Sequence, residues 1–172
     1  QRTTDTYDCL EGNGTIVESY EESASSTNGS ITYNSCYMGD GMYTDGTLLA
    51  DVSSNISTGN FSLHMSGTLT LSSELPDITL VLDVSYSGNQ NSDDFSFTST
   101  ISVSGSADGN FLVTTTEPIT GNWFDTYSGE MLVEGGEDTR LRITVVATNQ
   151  ADVYLDDGSG SFVYHDTISL SY

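Results

Sequence analysis

The sequence predicts an all-β protein whose 172 residues form a single domain, residues 1–172. Apolar residues alternate with serine and threonine in run after run, which is the period of a strand with one buried face. Asn-Gly and Asp-Gly pairs separate these runs, and helical periodicity is absent from the sequence. These observations favour a large antiparallel meander of long strands, arranged as a curled sheet, a sandwich or a barrel-like structure.

The alternating runs predict the strands in chain order. Residues 1–8 are polar and are expected to be an extended N-terminal segment. The clearest alternation is found in residues 61–71, 78–86, 95–103, 141–145 and 168–172. Strands between residues 60 and 105 are predicted to be unusually long. The whole chain is expected to hold about nine to eleven strands.

Short connections predict which strands are neighbours. Gly88-Asn89 lies between runs 78–86 and 95–103, and Asp157-Gly158 precedes the last run. Such pairs tolerate positive φ and therefore favour tight turns between antiparallel strands. We expect successive strands to pair in sequence order, with runs 78–86 and 95–103 adjacent and their apolar residues on one face.

The chain has two cysteines, Cys9 and Cys36, and no lysine. A cysteine pair in a chain rich in Ser, Thr and Asn predicts a disulfide formed in an oxidising compartment. Zinc is disfavoured because the sequence has no CxxC spacing and only two histidines. The pair predicts an exported protein, located outside the cell or at its surface.

The charge balance is extreme, with 25 acidic residues, three arginines and a formal net charge of −22. Such a chain repels phosphate backbones and anionic headgroups, so nucleic acids and membrane surfaces are disfavoured as partners. A well-solvated acidic surface explains the composition, and carboxylates that meet divalent cations are the alternative.

Three carboxylates near the C-terminus form the best candidate for a metal site. Asp152, Asp156 and Asp157 precede the loop Gly158-Ser159-Gly160. Clustered carboxylates and backbone carbonyls on a glycine-rich turn can supply the oxygen ligands that calcium prefers. The EF-hand spacing is absent, and an ordinary acidic hairpin turn is the alternative explanation. No other cofactor is expected.

Aromatic residues form the candidate contact with a glycan or a protein partner. Trp123, Phe124 and Tyr127 cluster in a stretch that does not alternate cleanly, which predicts that some of these rings are exposed. The alternative is that they pack over the end of the sheet.

Catalysis finds no support in the sequence. Serines are abundant and the histidines are His64 and His165, but no nucleophile-elbow sequence is present. We therefore expect a protein that is not an enzyme. Alternation up to the terminal Tyr172 is typical of the last strand of an outer-membrane barrel, but clear aromatic girdles and basic residues are missing, so a membrane barrel is disfavoured.

Two stretches carry a resemblance to known proteins. The first is Cys9–Cys36 with its Gly and Asn-Gly turns, and the second runs from Ser104-Gly105 to the Leu155–Gly160 loop. Together they resemble a loose family of uncharacterised secreted β-rich proteins and lipoproteins of Gram-negative bacteria. The resemblance implies export, β structure and no assigned enzyme activity. The late loop lacks one residue and one carboxylate of the family pattern.

The expected function is that of a non-catalytic extracellular structural protein. Long alternating strands and the absence of lysine leave open edges through which copies could associate as a cell-surface appendage, filament or matrix. The alternative is a cell-surface adhesin or glycan-binding module that uses the aromatic cluster.

Overall fold

The computed structural model describes residues 2–73, 76–105, 109–122 and 124–170. These residues form one antiparallel sheet in which each strand pairs with the next along the chain. The all-β meander is confirmed, and it has twelve strands in the described residues rather than nine to eleven. The first and last strands lie at opposite edges, so the sheet is open and is the curled-sheet form of the predicted fold.

The twelve strands include several of eleven to fourteen residues in the first two thirds of the chain. Their bounds are β1 Arg2–Asp8, β2 Thr15–Glu22, β3 Ser26–Gly39, β4 Met42–Asn55, β5 Asn60–Ser72, β6 Ile78–Asn89, β7 Asp94–Ser104, β8 Phe111–Asn122, β9 Thr126–Glu134, β10 Thr139–Ala147, β11 Gln150–Asp157 and β12 Val163–Ser169. Single 3-10 turns at Leu10–Gly12 and Gly136–Asp138 follow β1 and β9. The segment 1–8 is thus described from Arg2 as an edge strand, paired with β2 over seven residues.

Alternation along the strands separates the sheet into two faces. Leu82 on β6 lies opposite Ile101 on β7, and Tyr86 lies opposite Phe97, which confirms the predicted pairing of these runs. We call the face that carries Leu82 and Ile101 the apolar face, and the opposite one the polar face. On the polar face, hydroxyl side chains pair across strands, as Ser53 and Ser62 do at 2.7 Å.

The apolar face is only partly covered. The buried apolar side chains among the described residues are Cys36, Val103 and Ala151. The accessible surface is 10394 Å², whereas a compact monomer of this mass exposes about 8,200 Å². A single-layer sheet has no second layer to pack on its apolar side, so most of the apolar side chains are half-buried.

Glycines mark the close approach of β4 and β5. Gly46 has φ of +128°, and a Cβ at this position would lie 2.1 Å from the carbonyl oxygen of Thr68. Only glycine accepts both this conformation and this proximity. The pairing of β4 with β5 nevertheless continues without a break from Tyr43 to Asn55.

The C-terminal half of the sheet is irregular. The pairing of β8 with β9 changes register three times between Thr115 and Gly121, and further breaks occur in the β7–β8, β10–β11 and β11–β12 pairs. Bulges increase the local twist and bend the strand that carries them. Described residues from five strands, β7 to β10 and β12, therefore converge on the apolar side of this half.

None of the described residues belong to a helix long and apolar enough to cross a membrane.

Candidate functional site

The two sheet edges are the most exposed regular elements of the chain. All seven residues of β12 are exposed, including Val163 at 66% and Tyr164 at 55%. On β1, Tyr7 is 49% exposed. Large apolar side chains on an edge strand are unusual in a protein that stays monomeric, because such edges invite strand addition.

Backbone hydrogen bonds show which groups of each edge remain available. The Cys9 N–H donates to the Gly14 carbonyl at 3.2 Å, so the odd-numbered residues of β1 point their backbone groups toward β2. The Leu170 N–H donates to the Asn149 carbonyl at 2.9 Å, and the same alternation applies to the end of β12. The even-numbered residues of β1, and Thr167 and Ser169 of β12, therefore direct their backbone groups outward.

Carboxylates interrupt the apolar face at both edges. On β1, Asp5 lies opposite Glu18 of β2, and on β12, Asp166 lies opposite Val153 of β11. The negative charge of the Asp5 carboxylate raises the pKa of Tyr7 above its usual value, and the carboxylate of Glu18 adds a smaller effect in the same direction. A register break between Val153 and Tyr154 adds a bulge to the β11–β12 pair. Charges on an inner face and bulges are devices that discourage indiscriminate edge pairing.

The predicted calcium residues are separated by the strand they occupy. Asp152 and Asp156 lie on the polar face of β11, whereas Asp157 follows Asp156 directly and points to the other side. Asp152 accepts a hydrogen bond from the Thr167 hydroxyl at 2.6 Å, and Asp157 accepts one from the Ser159 N–H at 3.2 Å.

Asp156 is buried, and its oxygens are engaged by donors of the protein. One oxygen accepts from the Arg140 guanidinium, with Nε at 3.0 Å. The other accepts from the backbone N–H groups of Gly158 at 3.1 Å and Gly160 at 3.0 Å. The Arg140 hydrogen bonds hold the pKa of this carboxyl below its usual value, against the raising effect of burial, and the two glycine N–H groups act with Arg140.

This arrangement makes the glycine loop a partner of Asp156 and Arg140. Across the described ranges, no group of three or more His, Cys, Asp or Glu side chains is placed to hold a metal ion. Calcium binding at Asp152, Asp156 and Asp157 stays a prediction, and the geometry gives it no support.

Two arginines on β10 stack against an aromatic ring. The guanidinium carbons of Arg140 and Arg142 lie 4.9 and 4.6 Å from the centroid of the Phe162 ring, and Arg142 also lies 4.6 Å from the Tyr154 ring. Arg142 Nε is 3.8 Å from a Glu130 carboxylate oxygen. These contacts fix the connection that leads into β12, because cation–π interactions strengthen where water is partly excluded.

Of the predicted aromatic cluster, Phe124 lies in the turn between β8 and β9, and Tyr127 is the second residue of β9. Phe124 is 82% exposed and Tyr127 is 46% exposed, whereas Trp123 lies outside the described residues. Asn122 shapes the turn: its side-chain oxygen Oδ1 accepts from the N–H groups of Phe124 at 2.9 Å and Asp125 at 2.8 Å. The exposure of Phe124 and Tyr127 agrees with the prediction that some of these rings are exposed. Contact of these rings with a glycan or a protein partner stays a prediction.

Asn149 ties this turn to the β10–β11 turn. It has φ of +57°, its side-chain oxygen accepts from the Thr126 N–H at 2.8 Å, and its amide nitrogen donates to Asp125 at 2.7 Å. The tolerance of asparagine for positive φ is a sequence signal for a turn. Which turn it would contact was not predictable from the sequence.

Cys9 and Cys36 form the predicted disulfide, with Cα atoms 5.5 Å apart. His64 lies on the polar face of β5, with Nε2 at 2.9 Å from Asp83 and Nδ1 at 4.0 Å from Asp51. These are half-exposed cross-strand polar contacts of an ordinary kind, and they do not form a cleft with a nucleophile.

Comparison with protein families, with curated proteins and with solved structures gave no match. Function therefore has to be argued from the geometry of the edges and loops.

Proposed function

We propose that this chain is a non-catalytic extracellular structural protein, a subunit of a cell-surface appendage, filament or matrix that assembles through its strand edges. The observation that carries the proposal is the open sheet with two unpaired edges, β1 and β12. Fully exposed β12 presents apolar side chains that strand addition would cover.

An even number of strands makes the two edges complementary. Strands alternate in direction, so β12 of one copy and β1 of the next run antiparallel when the copies are related by translation along the sheet. The outward backbone groups of β1 and β12 then form the same antiparallel pattern of hydrogen bonds as β2 and β3 do. The apolar faces of the two copies stay on the same side. Such a head-to-tail contact is heterologous and can repeat without closing.

Charge opposes this contact at low ionic strength. Full overlap of the two seven-residue edges places Asp5 of one copy opposite Asp166 of the next, in a chain of formal net charge −22. Like charges directly opposite across a strand pair are destabilising. Screening shortens the repulsion to about 8 Å at physiological ionic strength, so assembly is expected to strengthen with salt or with divalent cations.

Proline substitution tests the edge directly. Thr6→Pro removes an outward N–H of β1 without breaking a β1–β2 hydrogen bond, and proline is tolerated on edge strands. We expect the wild-type protein to sediment as oligomers at high concentration and 0.5 M NaCl, and Thr6→Pro to remain monomeric. Thr6→Ala, which keeps the N–H, is the matched control and should assemble. A wild-type monomer under these conditions, with or without calcium, contradicts the proposal.

The carboxylate pair offers a second test. Asp5→Asn and Asp166→Asn together should allow assembly at lower salt than the wild type needs, whereas Asp94→Asn, on β7 in the middle of the sheet, should not. An equal salt requirement in all three proteins would rule out the head-to-tail register but not edge assembly itself.

Exposed aromatics favour a second candidate, a cell-surface adhesin or glycan-binding module. Phe124 in the β8–β9 turn and Tyr127 at the start of β9 are both exposed, and exposed aromatic side chains stack on sugar faces or anchor protein contacts. A glycan array is the test: Phe124→Ala should abolish a signal that Leu10→Ala, another exposed apolar position, leaves intact. Binding that survives Phe124→Ala contradicts this candidate.

A further inference from the structure

The bulged half of the sheet contains an apolar cleft that edge assembly does not use. We propose that this cleft binds one uncharged small molecule with a long hydrocarbon chain, of which a long-chain alcohol is the representative. The site lies on the apolar face across β7 to β12 and does not depend on pairing between copies, so it stands or falls separately from the proposed function.

Six apolar side chains of the described residues line the cleft. They come from successive strands and from the segment after β12: Phe97, Ile119, Met131, Ile143, Val145 and Leu170. The cleft has a volume of about 410 Å³, which lies in the range of small-molecule sites, ≈ 300–1,000 Å³. A hydrocarbon in this position would cover side chains that the single-layer sheet leaves half-buried.

Two glycines allow β8 and β9 to approach each other closely beside the cleft. Gly121 on β8 and Gly129 on β9 are both buried beside the cleft, next to the lining residues Ile119 and Met131. A Cβ at Gly129 would lie 2.5 Å from Ile119 Cδ1, and one at Gly121 would lie 2.1 Å from the Asp125 carbonyl oxygen. A side chain at either position would collide with the neighbouring strand or turn, so Gly121 and Gly129 keep β8 and β9 in close contact beside the cleft.

The lining identifies the chemistry of the occupant. The other described lining residues are Thr126 and Ser169, which carry hydroxyl groups, so none of the described lining side chains is charged. The nearest charged group in the network around Thr126 is Asp125, which is bound to Asn149. Because this carboxylate and the net charge of −22 repel anions, a neutral molecule fits the cleft and an anionic amphiphile does not.

Fluorescent-probe titration of the full chain tests the site. The neutral probe N-phenyl-1-naphthylamine should bind saturably with a stoichiometry of one, and hexadecanol should displace it at least tenfold more effectively than palmitate. Leu170 follows the last strand, so Leu170→Ser should weaken probe binding at least fivefold without unfolding the sheet. Val81→Ser, at an exposed apolar position of the polar face, is the matched control and should bind as the wild type does.

Three results would overturn the assignment. Non-saturable probe binding, or equal loss in Leu170→Ser and Val81→Ser, would show unspecific adsorption on the open face. Equal displacement by palmitate and hexadecanol would contradict a neutral ligand. The third result is a wild-type protein that sediments as a dimer and binds no probe, together with a Leu170→Ser variant that is monomeric and binds it. That result would assign the cleft to a second copy instead.

Discussion

Strands β4–β7 and strands β8–β12 belong to one sheet but are held together in different ways. From β4 to β7 the pairing runs without a register break, and apolar pairs such as Leu82 with Ile101 repeat along the apolar face. From β8 onward, bulges interrupt the β8–β9, β10–β11 and β11–β12 ladders, and specific polar contacts are added to the apolar pairs. Asn149 and the Arg140–Asp156 pair are the clearest of these.

The difference between the regular and the bulged strands separates the part of the sheet that supplies stability from the part that carries the candidate sites. A regular ladder distributes its stabilisation over many equivalent cross-strand pairs, each worth about 0.2–1 kcal/mol. The stability of a bulged region depends on a few specific contacts. Its interrupted ladder leaves room for a hollow and for an exposed loop. The candidate cleft and the exposed Phe124 both lie in the bulged half.

The largest single effect is expected outside both halves, at the disulfide that closes the N-terminal strands. Replacing Cys9 and Cys36 together by serine should lower the free energy of unfolding by about 3.5 kcal/mol, because a loop of about 28 residues is no longer closed in the unfolded chain. Urea unfolding measures the loss. Two free thiols in native protein, found by mass spectrometry without reductant, would contradict the structure.

The next effect tests the regular half. Ile101→Ala should cost about 2 kcal/mol, at the lower end for a large-to-small change, because the apolar face is half-buried. Ser102→Ala, the neighbour on the polar face, should cost less than about 0.5 kcal/mol. Similar costs at the two positions would mean that the apolar face contributes no more than the polar one, and the comparison between the halves would fail.

A smaller effect is expected at the turn contacts of the bulged half. Asn149→Ala removes two side-chain hydrogen bonds and places alanine at positive φ, so we expect a loss of about 1–2 kcal/mol. Thr148→Ala in the same turn is the control and should be nearly neutral. Hydrogen exchange should show the loss confined to β8–β12. Uniform loss of protection across the sheet would show that the two halves are not independent.

The smallest effect is expected in the pH dependence of Asp156. Its pKa is lowered in the folded protein, chiefly by Arg140, so its stabilising contribution is present above the ordinary carboxyl pKa and is lost as pH falls through the lowered value. Thermal melts of wild type and Asp156→Asn should therefore converge below about pH 4 and differ at pH 7. Asp157→Asn, at an exposed position, should run parallel to wild type. A constant difference between wild type and Asp156→Asn at all pH values would contradict the ionic role of Asp156.

The sequence by itself determined the strand content, the order of pairing and the disulfide. Runs 78–86 and 95–103 pair as their alternation predicts, because the side-chain period and a short turn are local properties. The same alternation places Asp156 and Asp157 on opposite faces of β11. It therefore separates two of the three carboxylates that were predicted to bind calcium. The polar first strand, predicted only as an extended segment, was found paired with β2.

Only the tertiary structure decided that the sheet stays open, that Asp5 and Asp166 end its apolar face, and that Arg140 holds Asp156. It also decided that Phe97 and Leu170 share a cleft. These outcomes depend on register breaks and on contacts between strands distant in sequence. Each bulge shifts the residues beyond it relative to their partners, and small differences in local free energy select where a bulge forms. No local pattern in the sequence encodes that choice.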